Sequence, residues 1–172
     1  MPTVFSNDGW CDVVQNDGRG DCLFQSIAQQ LDGINALQLR QVAVNYLQEH
    51  LEEFLPQLTE LGFSMRHVTR EIPIDVPEDA IPTAVLGLLR LPWTWGGAEC
   101  IAAISRHYNR DILVYMEDGD MVPFRPADGG VEAPVRIMHR FNNRQGIRTH
   151  YESVIAVRPL DLVSCHHHSL LL

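Results

Sequence analysis

The stretch Asp17-Gly18-Arg19-Gly20-Asp21-Cys22-Leu23-Phe24-Gln25-Ser26-Ile27-Ala28 most constrains what this chain can become. A loop with two glycines and two acids runs directly into an apolar-periodic segment whose first residue is a cysteine. Leu23, Ile27, Ala28 and Leu31 recur at helical spacing, which predicts a helix with Cys22 at or just before its N-terminus. Unpaired N–H groups and the positive end of the helix dipole favour thiolate over thiol at that position. The glycines let several amides converge on one point, as an oxyanion hole requires. A buried, inert cysteine after an ordinary turn is the competing reading, and for a lone cysteine it is the commoner one. The rest of the chain decides between them.

At 172 residues the sequence suits one domain with a real core. We expect that domain over residues 1–160, followed by a tail at 161–172. No apolar run approaches the ~18 residues needed to span a bilayer, so no membrane partner is expected. Residues 1–8 have neither a basic start nor a long apolar stretch, so a secretory signal is not expected either. The expected location is the cytoplasm (the host cytoplasm if the source is a pathogen), or the chain is cut from a larger precursor. Cys11, Cys22, Cys100 and Cys165 are scattered without CxxC spacing, which argues against a zinc ribbon or redox pair and makes reduced thiols the default. The tail sequence Cys165-His166-His167-His168 has no matching second pair, so neither metal nor cofactor is expected.

A net charge of −9 argues against nucleic-acid binding, which wants a basic stripe. It suits a basic protein partner, or simple solubility. All 13 cationic residues are arginine, and lysine is absent. Coding bias is one cause of such a gap; avoidance of lysine-directed modification, ubiquitin attachment above all, is another.

Along the chain, residues 1–16 read as an extended lead-in. Gly33 stops the Cys22 helix, and Asn35 is an N-cap for a second helix. In that helix Leu37, Leu39, Val42, Val44, Tyr46 and Leu47 form the apolar face, Arg40, Gln41 and Gln48 the wet one. The pattern continues through Leu51, Phe54 and Leu55 until Pro56 interrupts it. Short helices and loops are expected over 56–77, the region most suited to partner contact. A helix over Glu78 to Leu91, formed at least from Thr83 onward with Pro82 near its start, an aromatic-glycine turn at Trp93 to Gly97 and a buried helix over Ala98 to Tyr108 follow. Then come β-rich runs at Asp111 to Met116, Met121 to Phe124, Val135 to Met138 and Tyr151 to Val157. Helices first and strands second fit an α+β fold, with helices packed around a small, mostly antiparallel sheet.

A cysteine nucleophile needs a base, and the base needs an orienting partner. His150 opens a strand directly after the polar loop 142–148. Period-two alternation puts His150 and Glu152 on one face, ~7 Å apart along the strand. Glu152 or a neighbouring carboxamide is then within reach of the imidazole.

Taken together, Asp17-Gly18 through Cys22-Leu23-Phe24, then Trp95-Gly96 with Glu99, then His150-Tyr151 with Ser153-Val154 resemble the ovarian tumour (OTU) family of papain-like cysteine proteases. The resemblance covers about residues 10–157, and the helix holding Leu39-Arg40, Val44 and Tyr46-Leu47 matches the family's second helix. It implies a deubiquitinase that cleaves the isopeptide bond at ubiquitin's C-terminal glycine. Ubiquitin, polyubiquitin chains or ubiquitin-like modifiers are the implied partners, met by a monomer. Cys22 is the implied nucleophile and His150 the base, with Asp17 or Glu152 completing the site. Gly18, Arg19, Gly20 and Asp21 are the oxyanion-loop candidates. Trp95, Tyr151 and Arg148 are the substrate-contact candidates, and for Trp95 a core position is the stronger reading. The chain departs from the family pattern twice: four residues separate Asp17 from Cys22 instead of two, and Glu152 stands where Asn or Asp is common. These departures keep alive a ubiquitin-binding module with impaired turnover. A protease acting on its own polyprotein is the third reading.

Overall fold

A helical first half and a β-rich second half are what the chain adopts, with an unforeseen hairpin at its start. The computed structural model describes residues 3–6, 9–16, 20–142 and 148–158; of 3–6, 10, 141, 142, 148, 149 and 158 it describes only the backbone. Strands β1 (Thr3–Ser6) and β2 (Gly9–Val14) form the hairpin. Helices α1 (Cys22–Ala28), α2 (Ala36–Glu49), α3 (Leu51–Ser64), α4 (Ile81–Leu89) and α5 (Ala98–His107) follow. Strands β3 (Ile112–Met116), β4 (Met121–Phe124), β5 (Val135–Asn142) and β6 (Arg148–Arg158) close the chain. The six strands lie in the order β1-β2-β6-β5-β3-β4, with only the β3–β5 pair parallel. This is an α+β fold.

The residues expected as a lead-in therefore enter the sheet, where β2 pairs with β6 from Trp10↔Arg158 to Val14↔Ser153. Six residues gave too short a run to separate strand from coil. The helices cover one face: Leu23, Phe24 and Ile27 of α1 join Leu39, Val44 and Leu47 of α2 and Ile137 and Tyr151 of the sheet in the main core. A smaller cluster of Cys11, Val13, Tyr115, Met138 and Val154 fills the other face.

Asn35 caps α2 reciprocally: its side chain accepts from the Gln38 amide at 2.9 Å, and the Gln38 side chain accepts from the Asn35 amide at 3.0 Å. The apolar face of α2–α3 is narrower than the sequence suggests. Leu37 and Leu55 are 52% and 44% exposed, whereas Arg40, assigned to the wet face, is fully buried. Pro56 does not end a helix; it sits inside α3, and the chain breaks earlier, at His50. Both Pro56 and Glu52, whose carbonyl loses its donor to the proline, are solvent-exposed, which lowers the cost of that lost bond. Over 56–77 the chain is accordingly more regular than expected, with α3 running into a π-helical turn at Met65–Thr69. Pro82 stands in the first turn of α4, where its missing N–H costs nothing.

Arg40 explains its own burial. Its Nε and Nη2 reach Asp21 Oδ1 at 3.0 and 2.5 Å, Nη1 donates to the Leu89 carbonyl at 2.8 Å, and Nη2 also to that of Gly20 at 3.2 Å. The guanidinium lies 4.3 Å from the centroid of the Phe24 ring. One side chain thus ties α2 to the nucleophile loop, to α1 and to the C-terminal end of α4.

Two stability predictions follow from this packing. Arg40→Met leaves Asp21 buried without its cation and is expected to cost about 3–5 kcal/mol in urea denaturation. The double variant Arg40→Met/Asp21→Leu should recover most of that loss. Gly62 marks the crossing of α3 and α4: a Cβ there lies 2.0 Å from Ile81 Cγ2. Gly62→Ala should therefore lower stability by about 1–3 kcal/mol through overpacking, read as a lower urea midpoint at unchanged slope.

Candidate active site

The thiol sits where a strand gives way to a helix. β2 ends at Val14, opposite Ser153, and beyond it the flank of β6 beside Tyr151 is taken by Asn16 and Cys22. The Asn16 amide donates to the Tyr151 carbonyl at 2.7 Å, to Ser26 Oγ at 2.9 Å and to the Cys22 carbonyl at 3.2 Å. The N–H and C=O of one strand residue project to the same side, so the Tyr151 amide points to this flank too, toward the Cys22 thiol. The first turn of α1 is thereby stapled to the residue next to His150.

Cys22 is 1% exposed, and burial pushes its thiol above the ordinary cysteine range. The N–H groups of Tyr151, Leu23 and Cys22 itself pull the other way, and the Asp21 charge adds a last upward push. The helix start therefore supplies the expected amides, but desolvation outweighs them in the resting protein. That reverses the protonation state expected from the helix dipole.

Asp17, Gly18 and Arg19 lie outside the described residues, and with them three of the loop assignments. Gly20 has φ +83°, and a Cβ on it would stand 2.2 Å from the carbonyl oxygen of Trp93. The loop is thus pressed onto the turn after α4, which itself holds Trp93 at φ +69°. Asp21 precedes α1 without capping it; its carboxylate is taken by Arg40.

His150 is the third residue of β6, not the first, because β5 and β6 remain paired out to Asn142↔Arg148. Its Nε2 lies 3.8 Å from Oε1 of Glu152, and the Glu152 side chain is 4% exposed. The other oxygen, Oε2, accepts from Arg140 Nε at 2.5 Å. Arg140 stands directly opposite His150 in the β5–β6 register. Tyr151 points to the other face, into the helix-side core, where its ring lies 4.8 Å from that of His139. Burial first, then the charges of Glu99, Cys22 and Cys100, push its phenol far above the ordinary range. Tyr151 is therefore packed behind the thiol and does not line solvent.

Trp95 is half-buried beside the first turn of α1; a Cβ on its neighbour Gly96 would stand 2.8 Å from Phe24 Cζ. For Arg148 only the backbone is described, so its substrate contact lies outside the described residues, as does the cysteine-histidine tail. The structure thus sets Cys22, preceded by Gly20 and Asp21, against the flank of β6 beside Tyr151, and puts His150 and Glu152 on one face of that same strand. It adds Asn16, Arg40 and Arg140, which sequence reasoning missed. Arg140 escapes sequence reasoning because its partner emerges from strand register alone. Among the described residues no group of three or more His, Cys, Asp or Glu is arranged to hold a metal.

Comparison with known proteins agrees with this geometry. A family model described as OTU-like cysteine protease matches residues 17–151. OTU domain-containing protein 3 of Mus musculus is 26% identical over 139 residues, which is 80% of this chain and 29% of that protein's length. Among solved structures, the viral OTU domain protease of Farallon virus superposes with a TM-score of 0.60 at 15% identity, covering 90% of this chain and 88% of its own. That of Dera Ghazi Khan virus gives 0.59 at 14% identity over 90% and 87%. The Hazara virus OTU, solved bound to ubiquitin, gives 0.53 at 14% identity over 93% and 87%. At such identities the structural likeness speaks for the fold, while the family match, running from the glycine loop to the strand behind the thiol, covers most of the chain. The chain belongs to the OTU-like cysteine protease family.

Proposed function

We propose that this chain is a thiol-dependent deubiquitinase, acting in the cytoplasm as a monomer on isopeptide bonds at the C-terminal glycine of ubiquitin or of a ubiquitin-like modifier. The observation that carries the reading is the Asn16 side chain, which donates to both the Cys22 and the Tyr151 carbonyls and so holds Cys22 beside the residue following His150. Ubiquitin enters because the Hazara virus relative is solved bound to it.

In this mechanism His150 takes the Cys22 proton as Sγ attacks the glycine carbonyl. A C–S bond forms, the carbonyl π pair moves onto oxygen, and the amides of Cys22 and of the Gly18–Asp21 loop receive that charge. Collapse breaks the C–N bond, and His150 delivers its proton to the departing lysine amine. Water, deprotonated by the same imidazole, then hydrolyses the thioester and restores the thiol. Glu152 is the orienting acid in this reading: it alone of Asp21 and Glu152 has a carboxylate oxygen turned to His150, since Asp21 is committed to Arg40. With Nε2 facing Glu152, Nδ1 is the nitrogen that serves the thiol.

The buried thiol favours a second reading, a ubiquitin-binding module that retains the fold without turnover. A ubiquitin C-terminal propargylamide probe separates the two. The enzyme captures it covalently, gaining one ubiquitin in mass; Cys22→Ala abolishes capture and lowers cleavage of ubiquitin chains by at least ~10³-fold. Tight binding without capture by the unmodified chain supports the module instead.

Burial of Cys22 also has a pH signature. A raised thiol pKa means less thiolate at any given pH, so iodoacetamide should label Cys22 in the free protein more slowly than free cysteine at pH 8. The rate should still be climbing above about pH 9, past the ~8.5 midpoint of an unperturbed thiol. Peptide mapping resolves this labelling from Cys11, Cys100 and Cys165. A rate at pH 7 exceeding that of free cysteine contradicts the burial argument.

A further inference from the structure

We infer that Arg140 is a positioning residue for His150, acting through the carboxylate of Glu152. The inference rests on the reading of His150 as partner of Cys22, and its observations are geometric. The two oxygens of Glu152 are divided between two groups: Oε2 takes Arg140 Nε at 2.5 Å, and Oε1 faces His150 Nε2 at 3.8 Å. A carboxylate 4% exposed has almost no water to hold its charge. Arg140, whose side chain is 28% exposed, supplies that charge balance while itself remaining partly hydrated. Contact is through Nε, the nitrogen nearest the stem, so it fixes where the carboxylate lies across the strands as well as its ionisation.

The placement has a chemical consequence for the imidazole. Arg140 and His150 are direct cross-strand neighbours on one sheet face, and both address the same carboxylate. Protonating His150 therefore sets a second cation beside the first, and like charges directly opposite one another are unfavourable. Glu152 favours the imidazolium, and Arg140 offsets part of that effect. Cys22, from α1, lies along the flank of β6 beside the neighbouring residue Tyr151. His139 lies on the opposite sheet face with Tyr151, and Asp12 of β2 is registered with Ala156, six residues further along. Glu152 and Arg140 therefore act on the imidazole together. An acid longer than Asp reaches sideways to the neighbouring strand and still turns one oxygen to the histidine.

The test is an NMR titration of the His150 ring in the Cys22→Ala protein, which removes coupling to the thiol and does not depend on turnover. Arg140→Gln should raise the His150 midpoint by ~0.5–1 pH unit, because Glu152 then serves the imidazolium alone. Arg140→Lys, which keeps the charge but not the Nε contact, should leave the midpoint within ~0.2 unit. In the Cys22-containing enzyme the acid limb of kcat/KM, below which His150 is protonated and cannot act as base, should move upward in Arg140→Gln, and the shift should be absent when Glu152 is already Gln. Arg140→Lys should instead lower kcat ~3–10-fold with KM unchanged, as loosened alignment predicts. An unmoved or lowered His150 midpoint in folded Arg140→Gln overturns the inference, as does the same shift in a Glu152→Gln background. Failure of the parent reading looks different: Cys22→Ala would still cleave ubiquitin chains, whatever the titration gives.

Discussion

The site depends on one buried cation. Arg40 has no exposed surface, yet its three guanidinium nitrogens each find an acceptor: Asp21, the Gly20 carbonyl and the Leu89 carbonyl. A buried ion pair seldom adds net stability over a well-packed apolar pair, because desolvation offsets the attraction. What this one contributes is location. Gly20 and Asp21 immediately precede the nucleophile, and Arg40 fixes both against α2 while the end of α4 holds Arg40. The carbonyl of Trp93, four residues after Leu89, then closes on Gly20 so tightly that no side chain fits. The loop geometry is therefore set by helices far from it in sequence.

That non-local origin explains what could be read from the sequence and what could not. Cys22 at a helix start, the Asn35 cap, Pro82 in a first turn and the four later strands rest on local chemistry, and the chain follows them. Arg40 was assigned to the solvent face because helical periodicity scores an arginine as polar and knows nothing of a carboxylate nineteen positions earlier. Pro56 was read as a stop because the pattern could not tell that Pro56 and Glu52 are solvent-exposed. The N-terminal strands needed β6 as a template, and β6 lies at the far end of the chain. Of the site, Cys22, His150 and Glu152 were legible as motif and alternation. Asn16 and Arg140 were not, since each matters only through a partner supplied by strand register or by the point where β2 leaves the sheet.

The state of the thiol turns on a contest between two local effects. A helix N-terminus and converging amides favour thiolate, and three backbone N–H groups do address the sulfur. Their effect is smaller than the desolvation that comes with near-complete burial. In the proposed reaction, moreover, the thiol must pass a proton to His150 and not merely lose it to solvent. A covered, protonated thiol therefore suits a nucleophile that is engaged when substrate arrives beside it, with the amides already aimed to hold the negative sulfur as it forms.

The same logic runs through the two acids nearest the proposed pair. Asp21 adjoins Cys22 in sequence and Glu152 stands two residues from His150; both are buried, and an arginine meets each at 2.5 Å. An unpaired carboxylate at either place would raise the cost of forming thiolate or over-stabilise imidazolium. Arginine answers both with geometry that lysine lacks. Arg40 directs Nε, Nη1 and Nη2 to separate acceptors, and Arg140 contacts through Nε while its guanidinium reaches past toward solvent. A chain whose cations are all arginine thus places two of them where a compact ammonium could make only part of the contact. At these two positions the choice follows from the structure, whatever keeps lysine from the remaining eleven.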